Sequence, residues 1–572
     1  MKKFVHILRN VNVSNDVLNE LLSSLGYGNV SSNPNERISD ELFAAIIDIC
    51  NNGNLLSVIN LEFNISNYDK EDINLDEYNY KVNNDVETSF SNSLQPSFWV
   101  DELYIRTKSN NVCTIKLSDI LEAKQKPYFS VLIGTNGVGK SSILRDIVNF
   151  FIEIENQKNK EYKRISYKGL LLGIKYHIDN IEYCVVKAKK SFIVSINRVV
   201  SKLENLKSPI IVACHYGAFD KFPRPTINGA KASKYDIPIY KYVGAYVNGN
   251  VISTSSILFR LLFILTEEIE KTRVNICSIL DFINYETKIT LQYSIVSKSK
   301  KNGDVYKYIA ESINLDKEYR EWSTEDKLLL ISKIYNLYKI KSANSHKSKL
   351  CIDFKDDSQK KINKNELNYL YKLKQYNLIN SVQIWFYRNG ERISSEEMSS
   401  GELVMLSAML SISAAACNNH TLILFDEPEL SQHPNWQMSL IENLDKALFG
   451  QKCHTLLATH SHMLVSDLPI SRSSVIQLEK TESGELNAEM INSSTYGWSA
   501  EEVLFKVFKT ATDRNRYFGE RIANLLFRMG NNTIIPDDVT TEINELARIS
   551  GNLSDIDPMK SVLKTIIQAY KI

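Results

Sequence analysis

The 572-residue chain lacks several features that mark whole classes of protein. Its eight cysteines form no CxxC pair, which argues against a zinc site or a disulfide framework and fits a reducing compartment. No apolar run reaches membrane-spanning length, since the longest candidate, at 257–265, is interrupted by Arg260. The N-terminal apolar run is too short for a secretory signal. A net charge of +1 gives no global indication of a nucleic-acid or membrane partner. These absences predict a soluble, cytoplasmic protein.

A glycine-rich stretch, GTNGVGKSS at 134–142, matches the pattern G-x-x-x-x-G-K-[ST] in a suitable context. The buried strand pattern YFSVLIG precedes it, and the amphipathic helix pattern SSILRDIVNFFIEI follows it. In such a loop the backbone wraps around phosphate oxygens, Lys140 reaches the β- and γ-phosphates, and Ser141 places its hydroxyl on Mg²⁺. The residues expected to bind the nucleotide are Gly134, Asn136, Gly137, Gly139, Lys140, Ser141 and Ser142.

Two further strand patterns end in polar residues. LILFDEP, at 422–428, places Asp426 and Glu427 directly after four apolar residues. In a nucleotide hydrolase Asp426 would hold the metal through a water, and Glu427 would polarise the attacking water. LLATHSH, at 456–462, ends a second strand pattern near His460, which fits a residue that contacts the γ-phosphate and orients the water.

The stretch MSSGE, at 398–402, opens an amphipathic helix pattern. One interpretation is a well-capped helix, in which Ser399 or Ser400 is the N-cap and Glu402 lies in the first turn. The other is an anion site, because free N–H groups and the positive end of a helix favour a phosphate.

The order of these four motifs resembles that of ABC-type ATPases. The forms MSSGE, DEPELSQHP and THS resemble those of the overcoming-lysogenization-defect branch. This resemblance implies an α/β fold, with ATP and Mg²⁺ as cofactors and two chains that enclose two nucleotides. Ser399 and Gly401 would then contact the γ-phosphate of ATP held by the other chain. The chain departs from the transporter pattern, since it has no LSGGQ and His433 stands where the transporter motif has aspartate.

The segment VACHYGAFDKFPRP, at 212–225, resembles the one that follows the central strand in defence ATPases. By that resemblance Asp220 is a candidate second contact to the metal or to water. A turn aspartate without such a role is the open alternative.

The tail YGWSAEEVLFKVFKTATDRN, at 496–515, resembles the ATPase subunit of Septu-type antiviral systems, PtuA. The resemblance implies a separate HNH nuclease partner and, in retron versions, a reverse transcriptase with its RNA-linked DNA. No nuclease is expected within the chain itself, because Asp555-Ile556-Asp557 follows no strand pattern and no His-Asn-His pattern occurs. A DNA-repair ATPase of the structural-maintenance type is the alternative function.

The sequence thus predicts a P-loop ABC-type ATPase head interrupted by a helical insertion and flanked by helical segments. The expected divisions are 1–95, mostly helical; 96–254, the core lobe with the phosphate loop; 255–380, the helical insertion; 381–475; and 476–572, a helical region. The division 381–475 contains the helix that MSSGE opens (the signature helix), the strand LILFDEP (the acidic strand) and His460 (the switch histidine). A basic, tyrosine-rich stretch at 297–380 is interpreted as a solvated helix face, and nucleic-acid binding is the alternative.

Overall fold

The computed structural model describes part of the chain, in ranges separated by gaps. The described residues are 2–3, 18, 21–22, 37–38, 40–52, 98–118, 127–159, 169–188, 191–217, 220–224, 235, 237–244, 269–295, 304–315, 319, 322–343, 348–355, 360–376, 378–416, 420–430, 434–470, 472–481, 483–491, 495, 497–498, 500–506, 508, 516–531, 542–544, 546 and 558–570. Residues 67–93, His433 and the pair Asp555 and Asp557 lie outside these ranges.

The strands alternate with helices along much of the described chain. The strands are β1 (Lys2–Lys3), β2 (Arg37–Ile38), β3 (Phe98–Arg106), β4 (Val112–Lys116), β5 (Tyr128–Gly134), β6 (Leu171–Ile178), β7 (Ile181–Lys187), β8 (Phe192–Ile196), β9 (Val199–Ser201), β10 (Ile210–His215), β11 (Tyr240–Gly244), β12 (Lys288–Ile295), β13 (Ser348–Asp353), β14 (Ile379–Arg388), β15 (Glu391–Ser394), β16 (Thr421–Asp426), β17 (Cys453–Ala458), β18 (Ser473–Lys480) and β19 (Leu486–Met490). The helices are α1 (Asp40–Asn52), α2 (Lys140–Lys158), α3 (Ile269–Phe282), α4 (Val305–Leu315), α5 (Thr324–Ala343), α6 (Lys360–Gln375), α7 (Ser400–Ala416), α8 (Pro434–Ala447), α9 (His462–Val465), α10 (Ala500–Lys506), α11 (Arg516–Asn531) and α12 (Pro558–Tyr570), with a 3-10 turn at Leu203–Asn205.

A seven-stranded sheet carries three of the four predicted motifs at its carboxyl edge: the phosphate loop, the acidic strand end and the strand end near His460. Its strand order is β11-β10-β16-β17-β5-β18-β19, and every neighbouring pair is parallel except β18 with β19. In the register, His215 pairs with Asp426, Asp426 with Ala458, and Ala458 with Leu132. Four strands therefore end side by side, which brings the loops after them to one place.

Alternate residues of the parallel strands face two hydrophobic cores, as expected for a sheet covered on both sides. In β16, Leu422 and Leu424 pack into a core shared with α2 and with the antiparallel sheet β4-β3-β6-β7-β8-β9. Ile423 and Phe425 pack into the other core, which contains the buried side chains of α3 to α8. The signature helix and the phosphate-loop helix therefore cover opposite faces of the sheet.

The segment predicted as a helical insertion contains helices α3 to α6 and, in addition, strands β12 and β13. These strands form a four-stranded antiparallel sheet, β13-β12-β14-β15, with the hairpin that precedes the signature helix. Asn389 and Gly390, which join β14 to β15, have φ angles of 52° and 79°, as a two-residue hairpin turn requires. The alternating residues of KITLQYSI, now β12, carry the strand signal that the helical interpretation of this region missed.

The C-terminal segment is helical only after residue 490. Strands β18 and β19, within 473–490, extend the seven-stranded sheet, and β18 lies directly beside the phosphate-loop strand β5. No helix in the part of the chain that the structure describes is long and apolar enough to cross a bilayer.

Candidate nucleotide site

The phosphate loop joins β5 to α2 in the geometry that its glycines predict. Gly134, Gly137 and Gly139 have φ angles of 149°, 78° and 120°. A Cβ at Gly134 would lie 2.3 Å from the carbonyl oxygen of Leu478, so this strand end has no room for a side chain. The N-cap of α2 is Gly139, so no side chain of the N-cap residue covers the start of this helix. The first-turn N–H groups of α2 have no partners within the helix, which leaves an anion-binding helix start.

Lys140 lies folded over this loop. Its side-chain Nζ donates to the carbonyl oxygen of Gly134 at 2.7 Å and lies 3.4 Å from Nδ1 of His460. Lys140 is 5% exposed, and burial lowers its pKa to about 8 against the opposing effect of Glu427, Glu429 and Asp426. A cation held in a cleft of carboxylates at a helix start is arranged to meet a phosphate.

Asp426, the last residue of β16, is 2% exposed and lies within hydrogen-bonding reach of the Ser141 hydroxyl. Burial, together with the neighbouring Glu427, raises the pKa of Asp426 to about 6, although His215, Ser141 and Lys221 act to lower it. Its Oδ1 is buried without a hydrogen-bond partner among the described residues. A free carboxylate oxygen next to a serine hydroxyl fits the oxygen ligand set of Mg²⁺.

Glu427 has a left-handed backbone, with φ at 48°, which is uncommon for a residue other than glycine. Two hydrogen bonds hold this conformation: Glu427 N–H donates to the carbonyl oxygen of Ala458 at 2.8 Å, and Leu430 N–H donates to that of Glu427 at 3.1 Å. Strained backbone of this kind is concentrated at functional sites. The turn keeps the Glu427 side chain half-buried beside Lys140.

His460 reaches the site from the loop after β17. Its backbone N–H donates to Oε1 of Glu429 at 2.7 Å, and its ring lies against Lys140. Burial lowers the pKa of His460, Lys140 lowers it further, and Glu427 acts in the opposite direction. A neutral imidazole with Nδ1 facing an ammonium group carries its proton on Nε2.

Two site residues were missed by the sequence reasoning. His215, at the end of β10, is 1% exposed, and its Nδ1 lies 3.1 Å from the backbone oxygen and 3.7 Å from Oδ2 of Asp426. Its Nε2 is buried without a partner among the described residues. Glu429 is the second. It connects the turn after β16, which carries Glu427 (the acidic turn), to the loop after β17, which carries His460 (the histidine loop). The only available signal was position, since each lies at or just beyond the end of a parallel strand.

Asp220 is part of a separate cluster. Its buried carboxylate accepts hydrogen bonds from the Tyr242 hydroxyl and from Phe222 N–H and lies 3.7 Å from Nε of Arg224. These contacts are those of a structural turn aspartate. Its role as a metal or water contact stays a prediction.

The signature helix α7 begins with a reciprocal cap. Glu402 N–H donates to the Ser399 hydroxyl at 3.2 Å, and Ser399 N–H donates to Oε2 of Glu402 at 3.0 Å. Arg388 donates to Oε1 of Glu402 at 2.8 Å. Burial acts to raise the pKa of Glu402, but hydrogen bonds from Arg388 and Ser399 outweigh it, so the pKa is lowered. The capped-helix interpretation is therefore correct, and it leaves Ser399 exposed and Gly401 half-buried at the helix start.

The structure thus brings Lys140, Ser141, Asp426, Glu427 and His460 together at one edge of the parallel sheet. Their assignment as nucleotide, metal and catalytic residues stays a prediction. The residue types present, an anion-binding helix start with an ammonium group, a hydroxyl and a free carboxylate oxygen, fit a nucleotide phosphate with Mg²⁺.

Comparison with solved structures gave similarities to heads of SMC proteins. These include the SmcHead bound to the C-winged helix domain of ScpA, at 13% identity, 69% coverage of this chain, 97% coverage of that chain and a TM-score of 0.28. An Smc head with an extended coiled coil, bound to the C-terminal domain of ScpA derived from Pyrococcus furiosus, gave 12%, 69%, 96% and 0.29. The SMC head from Thermotoga maritima gave 10%, 69%, 99% and 0.31. At these TM-scores the similarities carry no argument about this chain.

A search of proteins with curated functions gave no significant match. The sequence profile of the AAA ATPase domain family, AAA_15, matches residues 108–465. That range includes the phosphate loop, the signature helix, the acidic turn and the switch histidine, and the fold is the mixed α/β P-loop ATPase fold expected from the sequence. Because the match spans well over half of the 572 residues, the chain belongs to the AAA ATPase domain family.

Proposed function

We propose that the chain binds ATP with Mg²⁺ at this edge of the sheet and hydrolyses it to ADP and phosphate. The observation that carries the proposal is the convergence of one ammonium group, one hydroxyl, two carboxylates and one imidazole from three separate loops. Structural carboxylates seldom remain partly unpaired in such a cluster, whereas a phosphate site requires free oxygens and N–H groups.

Each residue then has a role that its position supports. The loop N–H groups and Lys140 bind the phosphates, and Lys140 leaves its carbonyl partner Gly134 to do so. Ser141 and Asp426 hold Mg²⁺, which supplies positive charge to the phosphates. Glu427 accepts a proton from the attacking water, and His460 orients that water beside the γ-phosphate.

Glu427→Gln tests the assignment because it removes the base and changes little else. We expect the affinity for ATP to remain within about threefold and turnover to fall by about 10²- to 10⁴-fold, the usual contribution of a positioned base. The measurement is phosphate release alongside equilibrium binding of a fluorescent ATP analogue.

Glu442→Gln is the matched control, because Glu442 is an exposed side chain on α8 that pairs with Lys446. Full turnover in Glu427→Gln would contradict the role of Glu427. Loss of turnover in both variants would show that the assay reports general damage.

We infer further that hydrolysis takes place in a dimer formed around ATP. The start of α7 is exposed at Ser399, whose own hydrogen bonds remain within its cap. The N–H of Glu402 is taken up by this cap, which leaves the N–H groups of Ser400 and Gly401 for an anion from outside the helix. By the resemblance to ABC-type ATPases, that anion would be the γ-phosphate of ATP on a second chain.

The partner class rests on the resemblance to PtuA. We propose that the dimer is the switch subunit of an antiviral complex and controls an HNH nuclease, with a reverse transcriptase and RNA-linked DNA if the system is a retron. Tagged purification from the native host, followed by identification of co-eluting proteins and nucleic acids, tests this proposal. Recovery of an HNH nuclease supports it. Recovery of the chain alone, with hydrolysis stimulated by free DNA ends, would replace it with a DNA-repair ATPase.

A further inference from the structure

Glu429 connects the two loops that carry the proposed catalytic groups. It lies two residues after Glu427, in the turn that follows β16, and its Oε1 accepts the backbone N–H of His460 at 2.7 Å. The Thr459 side chain also hydrogen-bonds to this carboxylate. Its Oε2 is buried and has no hydrogen-bond partner in the part of the chain that the structure describes.

The hydrogen bond from His460 N–H to Glu429 restrains the loop after β17 at the residue that carries the imidazole. Thr459 N–H is already bound to the carbonyl oxygen of Leu132 at 3.1 Å, so β17 is still held to the sheet at that residue. His460 is the first residue beyond that contact. Its N–H would lack this fixed partner if the Glu429 side chain were shortened.

The backbone of His460 determines where its imidazole lies. The ring Nδ1 is 3.4 Å from Nζ of Lys140, which in turn is bound to Gly134 in the phosphate loop. A continuous chain of contacts therefore runs from the acidic turn through Glu429 and His460 to Lys140. Misplacement of a catalytic group by about 1 Å can cost on the order of a hundredfold in rate.

We propose that Glu429 is a positioning residue for His460, and that it acts as a hydrogen-bond acceptor for the His460 backbone N–H. The proposal rests on the proposed function, since it concerns how the switch histidine is held for ATP hydrolysis. It assigns Glu429 no contact with the nucleotide. A glutamine at this position retains a carbonyl acceptor of the same length, whereas an alanine removes it.

Comparison of Glu429→Gln with Glu429→Ala distinguishes the role of the hydrogen-bond acceptor from that of the negative charge. We expect Glu429→Gln to retain kcat within about threefold, and Glu429→Ala to lower kcat by about 10- to 100-fold with KM for ATP within about threefold. Glu442→Ala on α8 is the control for loss of a carboxylate and should match the wild-type protein. Glu429→Asp, which withdraws the acceptor by one methylene group, replaces the alanine variant if that variant does not fold.

A double-mutant cycle gives a readout that a merely structural role would not change. In a His460→Ala background, Glu429→Ala should cause no further loss of kcat, because the group that it positions is absent. An additional loss of tenfold or more in that background would overturn the proposal. Equal losses in Glu429→Gln and Glu429→Ala would also overturn it, since charge rather than the acceptor would then matter.

Hydrogen exchange of the His460 amide in nucleotide-free protein tests the contact without hydrolysis. We expect exchange at least about tenfold faster in Glu429→Ala than in the wild-type chain, with Glu429→Gln close to wild type. If wild-type protein fails to hydrolyse ATP, the proposed function fails while this exchange result still decides whether Glu429 restrains His460. If exchange accelerates but kcat is unchanged, the positioning role fails and the proposed function stands.

Discussion

Protonation of His454 should destabilise the fold in mild acid. His454 lies in β17 and is 0% exposed, where its Nδ1 accepts Val100 N–H at 2.9 Å and its Nε2 lies 2.8 Å from the Ser130 hydroxyl. Because Nδ1 must be unprotonated to accept from an amide, the single ring proton is on Nε2. A second proton would face Val100 N–H inside the core. Burial lowers the pKa of His454 from 6.5 to about 3, against an opposing effect of Asp101.

The size of the effect follows from that pKa difference. In the unfolded chain the imidazole takes up a proton below pH 6.5, whereas in the folded chain it stays neutral until about pH 3. The unfolded state therefore binds more protons in this window, and the free energy of unfolding falls as the pH falls. The slope is about 1.4 kcal/mol per pH unit, which gives about 2 kcal/mol between pH 6.5 and pH 5 and about 5 kcal/mol by pH 3. Above pH 6.5 this contribution is constant.

Urea unfolding at pH 7, 6 and 5 measures this change in the free energy of unfolding. His454→Gln should be less stable than the wild-type protein at pH 7, and the gap should shrink by about 2 kcal/mol at pH 5 because the variant lacks the buried imidazole. Ser130→Ala is the matched control, because it leaves the buried Nε2–H of His454 without its hydroxyl partner. It should lower the free energy of unfolding by about 1–3 kcal/mol at every pH and retain the acid dependence of the wild-type chain. A gap between wild type and His454→Gln that stays constant from pH 7 to pH 5 would refute the reasoning.

Three substitutions test the nucleotide site itself. Lys140→Ala should weaken binding of a fluorescent ATP analogue by at least about tenfold, since a hydrogen bond to a charged group contributes about 1.5–3 kcal/mol; unchanged affinity would remove Lys140 from the site. Ser399→Arg should leave nucleotide binding by the monomer intact but prevent hydrolysis and ATP-dependent dimerisation, which sedimentation measures. Unchanged hydrolysis would mean that the start of α7 is only a capped helix. His215→Phe should raise the Mg²⁺ concentration at half-maximal turnover by about tenfold or more, because a partner that orients Asp426 is lost, with ATP affinity in EDTA unchanged; an unaltered Mg²⁺ midpoint would exclude that role.

The phosphate loop and the strand ends were predictable because their signals are local. A glycine pattern, a run of apolar residues and a polar end are all contained within ten residues of GTNGVGKSS or LILFDEP. The sequence patterns assigned both Asp426 and Ser141 to the metal, and parallel strands bring two such residues together because their carboxyl ends lie at one edge. The cap at Ser399 was predictable for the same reason, because Glu402 is three residues away.

His215 and Glu429 could not be found in this way. The Asp426 contact of His215 depends on β10 lying beside β16, and strand order in a sheet is decided by packing of the whole core rather than by local pattern. Likewise, nothing near Glu429 in the chain indicates that its partner is the amide of His460. The strands β12 and β13 were missed because the strong helical patterns around them outweighed eight and six residues of alternation.

One long-range contact links the insertion to the signature helix. Arg388 ends β14, a strand of the four-stranded sheet that the insertion helps to build, and it stacks over Tyr285 with its guanidinium carbon 4.2 Å from the ring centroid. The same guanidinium donates to Ile283 and Asn284 carbonyl oxygens and to Glu402, which caps Ser399. Displacement of this sheet would withdraw the donor that orients Glu402 and so loosen the start of α7. A segment that looks separate in the sequence is therefore mechanically connected to the residues expected to complete the ATP site of a second chain.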